Sequence, residues 1–96
     1  MKNIRELHSP DKEVSALSLF KGELGTATAI QIDRNSTFKE HITKTPALLI
    51  CMSGMVTYKD ENEQEINLEQ GDYINITPNV KHWLHASVKS QLILLK

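Results

Sequence analysis

Short runs that alternate apolar and polar residues dominate this chain, and they constrain its fold more than any other feature. A period of two places every second side chain on one face, as in a half-buried β-strand. Four segments show this alternation: 26–32 (TATAIQI), 64–68 (QEINL), 72–77 (DYINIT) and 91–96 (QLILLK). A fifth, 47–54 (ALLICMSG), is apolar at nearly every position, which predicts a strand buried on both faces.

Turn-forming residues separate these runs, and no segment predicts more than one turn of helix. The breaks fall at 21–25 (KGELG), 33–36 (DRNS), 60–63 (DENE), 69–71 (EQG) and 77–79 (TPN). The stretch VTYKDENEQEINL is typical of a hairpin with an acidic loop. About eight to ten short strands predict an all-β sandwich or barrel. The expected core comprises Leu17, Leu19, Ile30, Ile32, Leu48, Leu49, Val56, Ile66, Leu68, Ile74, Ile76, Leu84, Leu92 and Leu94.

Length, charge and cysteine content restrict the class of protein. The 96 residues accommodate one domain, and a net charge of -1 gives no electrostatic reason to expect nucleic acid or an anionic membrane as a partner. Residues 1–14 contain no apolar run, so we expect no signal peptide. No apolar stretch is long enough to span a bilayer. The single cysteine, Cys51, cannot form an intramolecular disulfide, so we expect a cytoplasmic protein.

Two motifs with matching spacing carry a family resemblance. Residues 35–54 keep the frame Gly-x5-His-x-His-x3–4-Glu-x6-Gly, and its positions are filled by Asn35, His41, Thr43, Ala47 and Gly54. Residues 71–86 keep the frame Gly-x5-Pro-x-Gly-x2-His-x3-Asn, filled by Gly71, Thr77, Asn79, His82 and Ala86. In this frame the chain resembles the cupins, which implies a jelly-roll barrel of the double-stranded β-helix type.

The resemblance also implies where a metal would lie. A cupin metal centre is usually formed by the two histidines and the glutamate of the first motif with the histidine of the second. His41 and His82 are retained here, whereas Thr43 and Ala47 replace the other two ligands. Catalytic transition-metal sites normally have at least three protein ligands. We therefore expect no complete metal centre and at most a weakly bound divalent metal such as Zn, Fe or Ni.

The same positions outline a candidate ligand pocket. Its lining would be His41, Thr43, Ala47, Leu49, Cys51, His82 and Leu84, mostly apolar with two imidazoles and a hydroxyl to orient a ligand. The favoured function is binding of a small molecule in the barrel. One alternative is a metal-dependent oxygenase or isomerase whose third ligand lies outside the motifs. Another is an interaction module without catalysis, so whether the chain is an enzyme stays open.

Other polar residues are assigned by their position along the predicted strands. Alternation places His85 on the side opposite to His82, and Lys39 on the same side as His41. His8 falls in a polar segment and is expected at the surface. Cys51 is expected to fill core space. The hairpin acids, Asp60, Glu61, Glu63 and Glu65, are expected to form a solvated tip.

A homodimer is expected because a small barrel has free sheet edges that a second chain can cover. The N-terminal strand, residues 14–20, is the likeliest element to pair with or pack on the partner, by resemblance to other cupins. Trp83 alternates with His82 and Leu84 and should therefore face outward. Burial of Trp83 in the dimer interface is the preferred interpretation of this position.

Overall fold

The computed structural model describes residues 1–96 and is built almost entirely of β-strands. The nine strands are β1 (Val14–Lys21), β2 (Thr26–Ile32), β3 (Thr37–His41), β4 (Ala47–Ser53), β5 (Met55–Asp60), β6 (Glu65–Glu69), β7 (Tyr73–Ile76), β8 (His82–Ala86) and β9 (Ser90–Leu95). One short 3-10 helix, Ile4–Glu6, precedes them, and no helix is long and apolar enough to cross a bilayer. The predicted all-β fold of eight to ten strands is confirmed.

The strands form two antiparallel sheets that face each other. Sheet A has five strands in the order β1-β2-β9-β4-β7, and sheet B has four in the order β3-β8-β5-β6. Apart from the β1–β2 and β5–β6 pairs, neighbours in these orders are not consecutive in sequence, as in a jelly roll, where the chain crosses repeatedly between two sheets. The predicted hairpin is present as β5 and β6, with Val56 opposite Leu68.

The strand register determines which side chains face the interior. In sheet A, Leu92 lies opposite both Ile30 and Cys51, and all three are buried in the core between the sheets. In sheet B, Leu84 lies opposite Tyr58, and both are buried in the same core. The core cluster contains Ile30, Ile32, Ala47, Leu49, Cys51, Val56, Tyr58, Leu68, Ile76, Leu84, Ala86, Leu92 and Leu94.

Most of the predicted core is buried or half-buried, but Leu17 and Leu19 are not. They are 38% and 48% exposed. Leu17 lies opposite Ala29, on the face of sheet A that points away from sheet B, and the β1 register shifts where Leu19 stands. The prediction that Leu17 and Leu19 are core residues is therefore wrong. Strict alternation does not reveal which face of an edge strand meets the other sheet.

Strand β4 also departs from its prediction. Ala47, Leu49 and Cys51 are buried, but the intervening Leu48 and Ile50 are only half-buried. The single chain therefore covers one face of β4 completely and the other only in part.

Left-handed backbone conformations occur at all four glycine positions of the two motifs. Gly54 and Gly71 have φ of 94° and 90°, and the asparagines at the other two positions, Asn35 and Asn79, have φ of 58° and 64°. Asparagine tolerates this region better than other residues with side chains. The motif spacing is therefore maintained by turns that asparagine can form in place of glycine.

Two polar residues are buried where the sequence predicts exposure. Asp60 is 6% exposed and accepts hydrogen bonds from the backbone N–H groups of Asn62 and Gln64, so it organises the β5–β6 turn instead of lying at a solvated tip. His8 is 7% exposed because its segment packs on β1, where its Nδ1 lies 2.7 Å from Ser15 Oγ. Hydropathy does not show such packing.

Candidate functional site

The two motif histidines lie side by side on neighbouring strands of sheet B. His41 ends β3 and His82 begins β8, and the antiparallel register places the two residues directly opposite each other. Their Nε2 atoms are 3.0 Å apart. The two imidazoles therefore lie in direct contact, and His82 is 1% exposed.

A bulge in β3 makes this pairing possible. The β3–β8 register shifts between Phe38 and His41, so both of these residues face the interior and their rings pack at 4.7 Å. Simple alternation is interrupted here, and Lys39 is exposed. The prediction that Lys39 shares a side with His41 is thus wrong, because the extra residue in the bulge changes the period.

Backbone contacts of both imidazoles favour the tautomer with its proton on Nδ1. His41 Nδ1 lies 3.1 Å from the carbonyl oxygen of Lys39, and His82 Nδ1 lies 3.1 Å from that of Val80. A carbonyl oxygen only accepts, so each Nδ1 must donate a hydrogen. In a neutral imidazole the proton is then absent from Nε2. The two Nε2 atoms that face each other are both acceptors, and one proton or one other electrophilic centre must lie between them to satisfy both.

The surroundings favour the neutral form of His82. Burial lowers its pKa, the charge of His41 adds to this effect, and the hydrogen bond to Val80 opposes it. Tyr58 stacks on the His82 ring with 5.7 Å between centroids, and its hydroxyl donates to Asp60 Oδ2 at 3.1 Å. Burial is also the main reason that the pKa of Tyr58 is raised to about 12, with Asp60 contributing.

Tyr58, Asp60 and Phe38 are site neighbours that the sequence analysis did not identify. The available signal for the first two was the β5 alternation, which places Val56, Tyr58 and Asp60 on one face. An aspartate on an inward-facing register is unusual, because buried carboxylates require hydrogen-bonding partners. Phe38 had no such signal, since the β3 bulge controls its direction.

Thr43 takes the position of the missing motif histidine and is almost completely buried. It is 2% exposed, and its hydroxyl oxygen has no hydrogen-bonding partner. Its backbone carbonyl accepts from the N–H of Asn79 at 2.8 Å, which joins the two motifs. Thr43 thus brings an unused polar group into the interior.

The remaining candidate lining residues belong to the packed core. Ala47, Leu49, Cys51 and Leu84 are each at most 5% exposed and are members of the central cluster. Burial and the carboxylates of Asp72 and Glu69 raise the pKa of the Cys51 thiol, despite an opposing backbone contact to Ser53. The thiol form is favoured, as expected of a residue that fills space.

A complete four-ligand metal centre does not fit these residues. Thr43 and Ala47 cannot supply the missing imidazole and carboxylate, and Asp60 is occupied by Tyr58 and two backbone N–H groups. The structure contains no group of three or more His, Cys, Asp or Glu side chains that could hold a metal ion. The pair His41 and His82 offers two nitrogen donors and no third.

His41 borders a small surface depression, whereas His82 does not. The depression is about 240 Å³ and is lined by Glu40, His41, Ile42 and Lys81. A larger depression, about 640 Å³, lies elsewhere, where the β1–β2 hairpin meets the ends of β4 and β9. His82 is 1% exposed, so His41 is the member of the pair that lies at the surface.

No family model and no curated protein matches the chain. A cupin superfamily protein from Desulfitobacterium hafniense has a TM-score of 0.85 at 11% identity, covering 97% of this chain and 84% of that protein. An RmlC-like cupin from Desulfovibrio desulfuricans has a TM-score of 0.81 at 11% identity over 99% and 94% of the two chains.

A third similar structure is KdgF from Halomonas sp., with a TM-score of 0.78 at 16% identity over 92% of this chain and 82% of that one. Such low identities establish shared architecture and leave function to be argued from the site. The two antiparallel sheets, the left-handed turns at the motif positions and these structural likenesses agree, and the chain has the cupin fold.

Proposed function

We propose that this protein binds a small polar molecule at the His41–His82 pair, without a complete four-ligand metal centre. The observation that carries the proposal is the 3.0 Å contact between two Nε2 atoms whose Nδ1 partners both face backbone carbonyls. Such a pair is an unsatisfied acceptor, and a ligand atom with hydrogen to donate would satisfy it. We also propose a cytoplasmic location. The one cysteine is buried and free, so the fold needs no oxidising compartment.

The chemistry of the pair suggests the class of ligand. Neutral imidazoles held by their Nδ1–H groups recognise a donor, so we expect a ligand with hydroxyl or ammonium groups. The orphaned hydroxyl of Thr43, two residues from His41, adds a group that can donate or accept. Buried polar groups without partners are costly, and a ligand or water that satisfies them would recover part of that cost.

The size of the opening limits the ligand. Pockets for drug-sized molecules typically enclose about 300–1,000 Å³. The depression at His41 is about 240 Å³, which suits a compound smaller than these. Glu40 and Lys81 at its rim offer one charge of each sign, so the rim does not select strongly for a cation or an anion.

The alternative function is that of a metal-dependent oxygenase or isomerase. The two imidazoles supply only two of the ligands that such an enzyme needs. Their Nε2 atoms are close enough to bind one ion together. Because the third ligand would have to be water or substrate, we expect Zn, Fe or Ni to bind no tighter than the micromolar range. Elemental analysis of the purified protein distinguishes these functions.

The proposal is tested by NMR titration of the metal-free protein with matched small compounds: a polyol, a primary amine and a dicarboxylate. The imidazole signals of His41 and His82 should shift with the polyol or the amine and not with the dicarboxylate. A His41→Gln variant should abolish the shift of the His82 imidazole signals. His85→Gln is the matched control, because His85 is exposed on the other side of β8, where its Nδ1 lies 2.9 Å from Thr37 Oγ1.

Each other outcome rejects the proposal. One tightly held metal per chain, lost in His82→Ala, would establish the metal-dependent alternative. No shift with any compound would favour the interaction module. A response to the dicarboxylate alone would indicate that the pair carries a proton and binds anions.

A further inference from the structure

One row of polar side chains on sheet A is buried, although it points away from sheet B. Ser15, Gln31 and Gln91 lie opposite one another on β1, β2 and β9, so they share a face of the sheet. Their chain neighbours Ile32 and Leu92 belong to the core between the sheets, so the row faces outward. The three side chains are nevertheless only 5%, 3% and 4% exposed. Another part of the chain must therefore cover them.

The cover is the segment of residues 1–13, which precedes β1. At one end of the row, His8 Nδ1 lies 2.7 Å from Ser15 Oγ. At the other end, residues 3–5 line a depression together with Ser53 of β4. Strands β2 and β9 lie between β1 and β4 in the sheet. The segment therefore crosses the outward face of sheet A from β4 to β1, and we call it the strap.

One side chain holds the strap in place. Among residues 1–13 only His8 is buried, Ile4 is half-buried, and all others are exposed. No backbone hydrogen bond joins residues 1–12 to either sheet, and the first such bond runs from the N–H of Asp33 to the carbonyl oxygen of Glu13. Withdrawal of His8 would thus free the strap at the loss of few other buried contacts.

The pocket of His8 does not suit a charged ring. Its Nε2 is buried without a hydrogen-bonding partner, so a protonated imidazole would hold a charged N–H group there with no acceptor. The row beneath supplies hydroxyl and amide groups but no carboxylate, and β4 carries no charged residue. Burial alone lowers the pKa of His8. The nearest charged residues along the strands and the strap contribute nothing to this shift: Lys2, Arg5, Glu6, Asp11, Lys12, Glu13, Asp33 and Lys89.

We propose that the strap is a pH-sensitive cover: neutral His8 holds it over the polar row, and protonation of His8 releases it while both sheets stay folded. The attached strap binds the proton less readily than the released strap. Attachment is therefore strongest above the ordinary histidine pKa of about 6.5 and weakens as the pH falls below it. Between that pKa and the lower one of attached His8, each pH unit should raise the ratio of released to attached strap up to about tenfold. The proposal does not depend on the His41–His82 pair.

The polar character of the row makes release inexpensive. Gln91 Nε2 donates to Gln31 Oε1 at 2.7 Å, and this bond lies between two strands of the sheet and does not involve the strap. Gln91 Oε1 is buried without a partner under the strap. Water can satisfy that oxygen and Ser15 Oγ once the strap has left. Acid would thereby convert a covered row into a hydrogen-bonding surface.

The test is ¹⁵N relaxation of the whole chain at pH 7.5 and at pH 5. At the higher pH, backbone order parameters of residues 3–8 should be about 0.85, as in rigid backbone, and at the lower pH they should fall below about 0.6. Amides of β2 and β9 should keep high order parameters at both pH values. The His8 imidazole signals should titrate over the pH range in which the strap loses order.

His8→Gln removes the titrating group and keeps an amide that can bond to Ser15, so its strap should have the same order parameters at both pH values. His85→Gln is the matched control, because His85 is exposed on the outward side of sheet B, and it should respond to pH as wild type does.

Four results would overturn the proposal. A wild-type strap that stays rigid at pH 5 would show that an acceptor such as Gln91 Oε1 binds the imidazolium. A strap that is already flexible at pH 7.5 would show that His8 does not hold it. Loss of order in both sheets together with the strap would show that the strap does not open alone. A strap that still responds to pH in His8→Gln would assign the response to another group.

Discussion

The two sheets of this sandwich have outer faces of opposite character. On sheet B, Thr57 Oγ1 donates to Asn67 at 2.9 Å, and Lys59 pairs with Glu65 at 3.1 Å. These are cross-strand polar pairs of the kind that stabilise a sheet in water. On the face of sheet A that points away from sheet B, one row is polar, formed by Ser15, Gln31 and Gln91. The other rows carry leucine, isoleucine and aromatic residues, among them Leu17, Ile50 and Tyr73.

This difference separates two roles within one fold. Sheet B carries the His41–His82 pair on its inner side and a surface that water satisfies on its outer side. Sheet A contributes buried aliphatic residues to the core and has exposed apolar side chains on its outer side. The histidine pair and the cross-strand polar pairs thus lie on sheet B, whereas the exposed apolar side chains lie on sheet A.

The largest effect is expected on metal affinity, when the two missing motif ligands are restored at positions 43 and 47. Thr43→His with Ala47→Glu raises the number of donors from two to four on a backbone whose motif spacing is already correct. Affinity for a first-row divalent metal should rise by several orders of magnitude, because the ligand count decides whether such a site is complete. Calorimetric titration of Zn²⁺ into the metal-free variant and wild type measures the change.

The single variants provide the control. Ala47 is a core residue, so Ala47→Glu alone should lower stability, and its three donors should bind metal less tightly than the four of the double variant. If the double variant binds metal no more tightly than wild type, residues 43 and 47 do not point toward the histidine pair. A wild type that already binds metal tightly would contradict the proposal that the pair binds its ligand without a complete metal centre.

Much of the fold was predictable from local patterns. Alternation locates the strands because a period of two is intrinsic to the β conformation, and the motif spacing positions His41 opposite His82. The asparagines at 35 and 79 satisfy the turn requirement of the motif glycines, since both residue types accept positive φ.

The errors have a common physical cause. The bulge before His41, the packing of His8 on Ser15 and the burial of Asp60 all depend on contacts between distant segments or on turn hydrogen bonds. Hydropathy and alternation do not encode these contacts. The exposure of Leu17 depends in addition on which face of an edge strand meets the second sheet.

A smaller effect is expected at the corner where β4 of sheet A leads into β5 of sheet B. Gly54 and Gly71 both have positive φ, but a Cβ on Gly54 would lie 2.7 Å from Ser90 Cβ, whereas one on Gly71 would meet nothing within 4 Å. Gly71→Ala should cost about 1–2 kcal/mol of unfolding free energy from backbone strain alone.

Gly54→Ala should cost about 3–5 kcal/mol, since overpacking adds to the same strain. Urea denaturation of the two variants measures both values. Equal losses would show that the corner relaxes to admit a methyl group and that the junction between the sheets is loosely packed.

The smallest effect is expected on the pH dependence of stability, through His8, which packs on Ser15 of sheet A. Burial lowers the pKa of His8, so the unfolded chain binds its proton more readily than the folded chain. The free energy of unfolding should therefore fall as the pH drops below about 6.5, the ordinary histidine value. His82, whose pKa is also lowered, contributes in the same direction.

A His8→Gln variant should retain only part of this pH dependence. Thermal unfolding of wild type and variant between pH 8 and pH 5 gives the comparison. An unchanged dependence in the variant would mean that His8 is as solvated in the folded chain as in the unfolded one.

In the proposed site, His41 and His82 present two unprotonated Nε2 atoms to one ligand. Long-range ¹H–¹⁵N correlation spectra of the histidine rings test it most directly, because they identify the protonated nitrogen of each imidazole. Above the ordinary histidine pKa, in metal-free protein without ligand, the account predicts the Nδ1–H tautomer for both residues. An Nε2–H tautomer on either ring would show that the pair is satisfied internally, and it would contradict the proposed binding site.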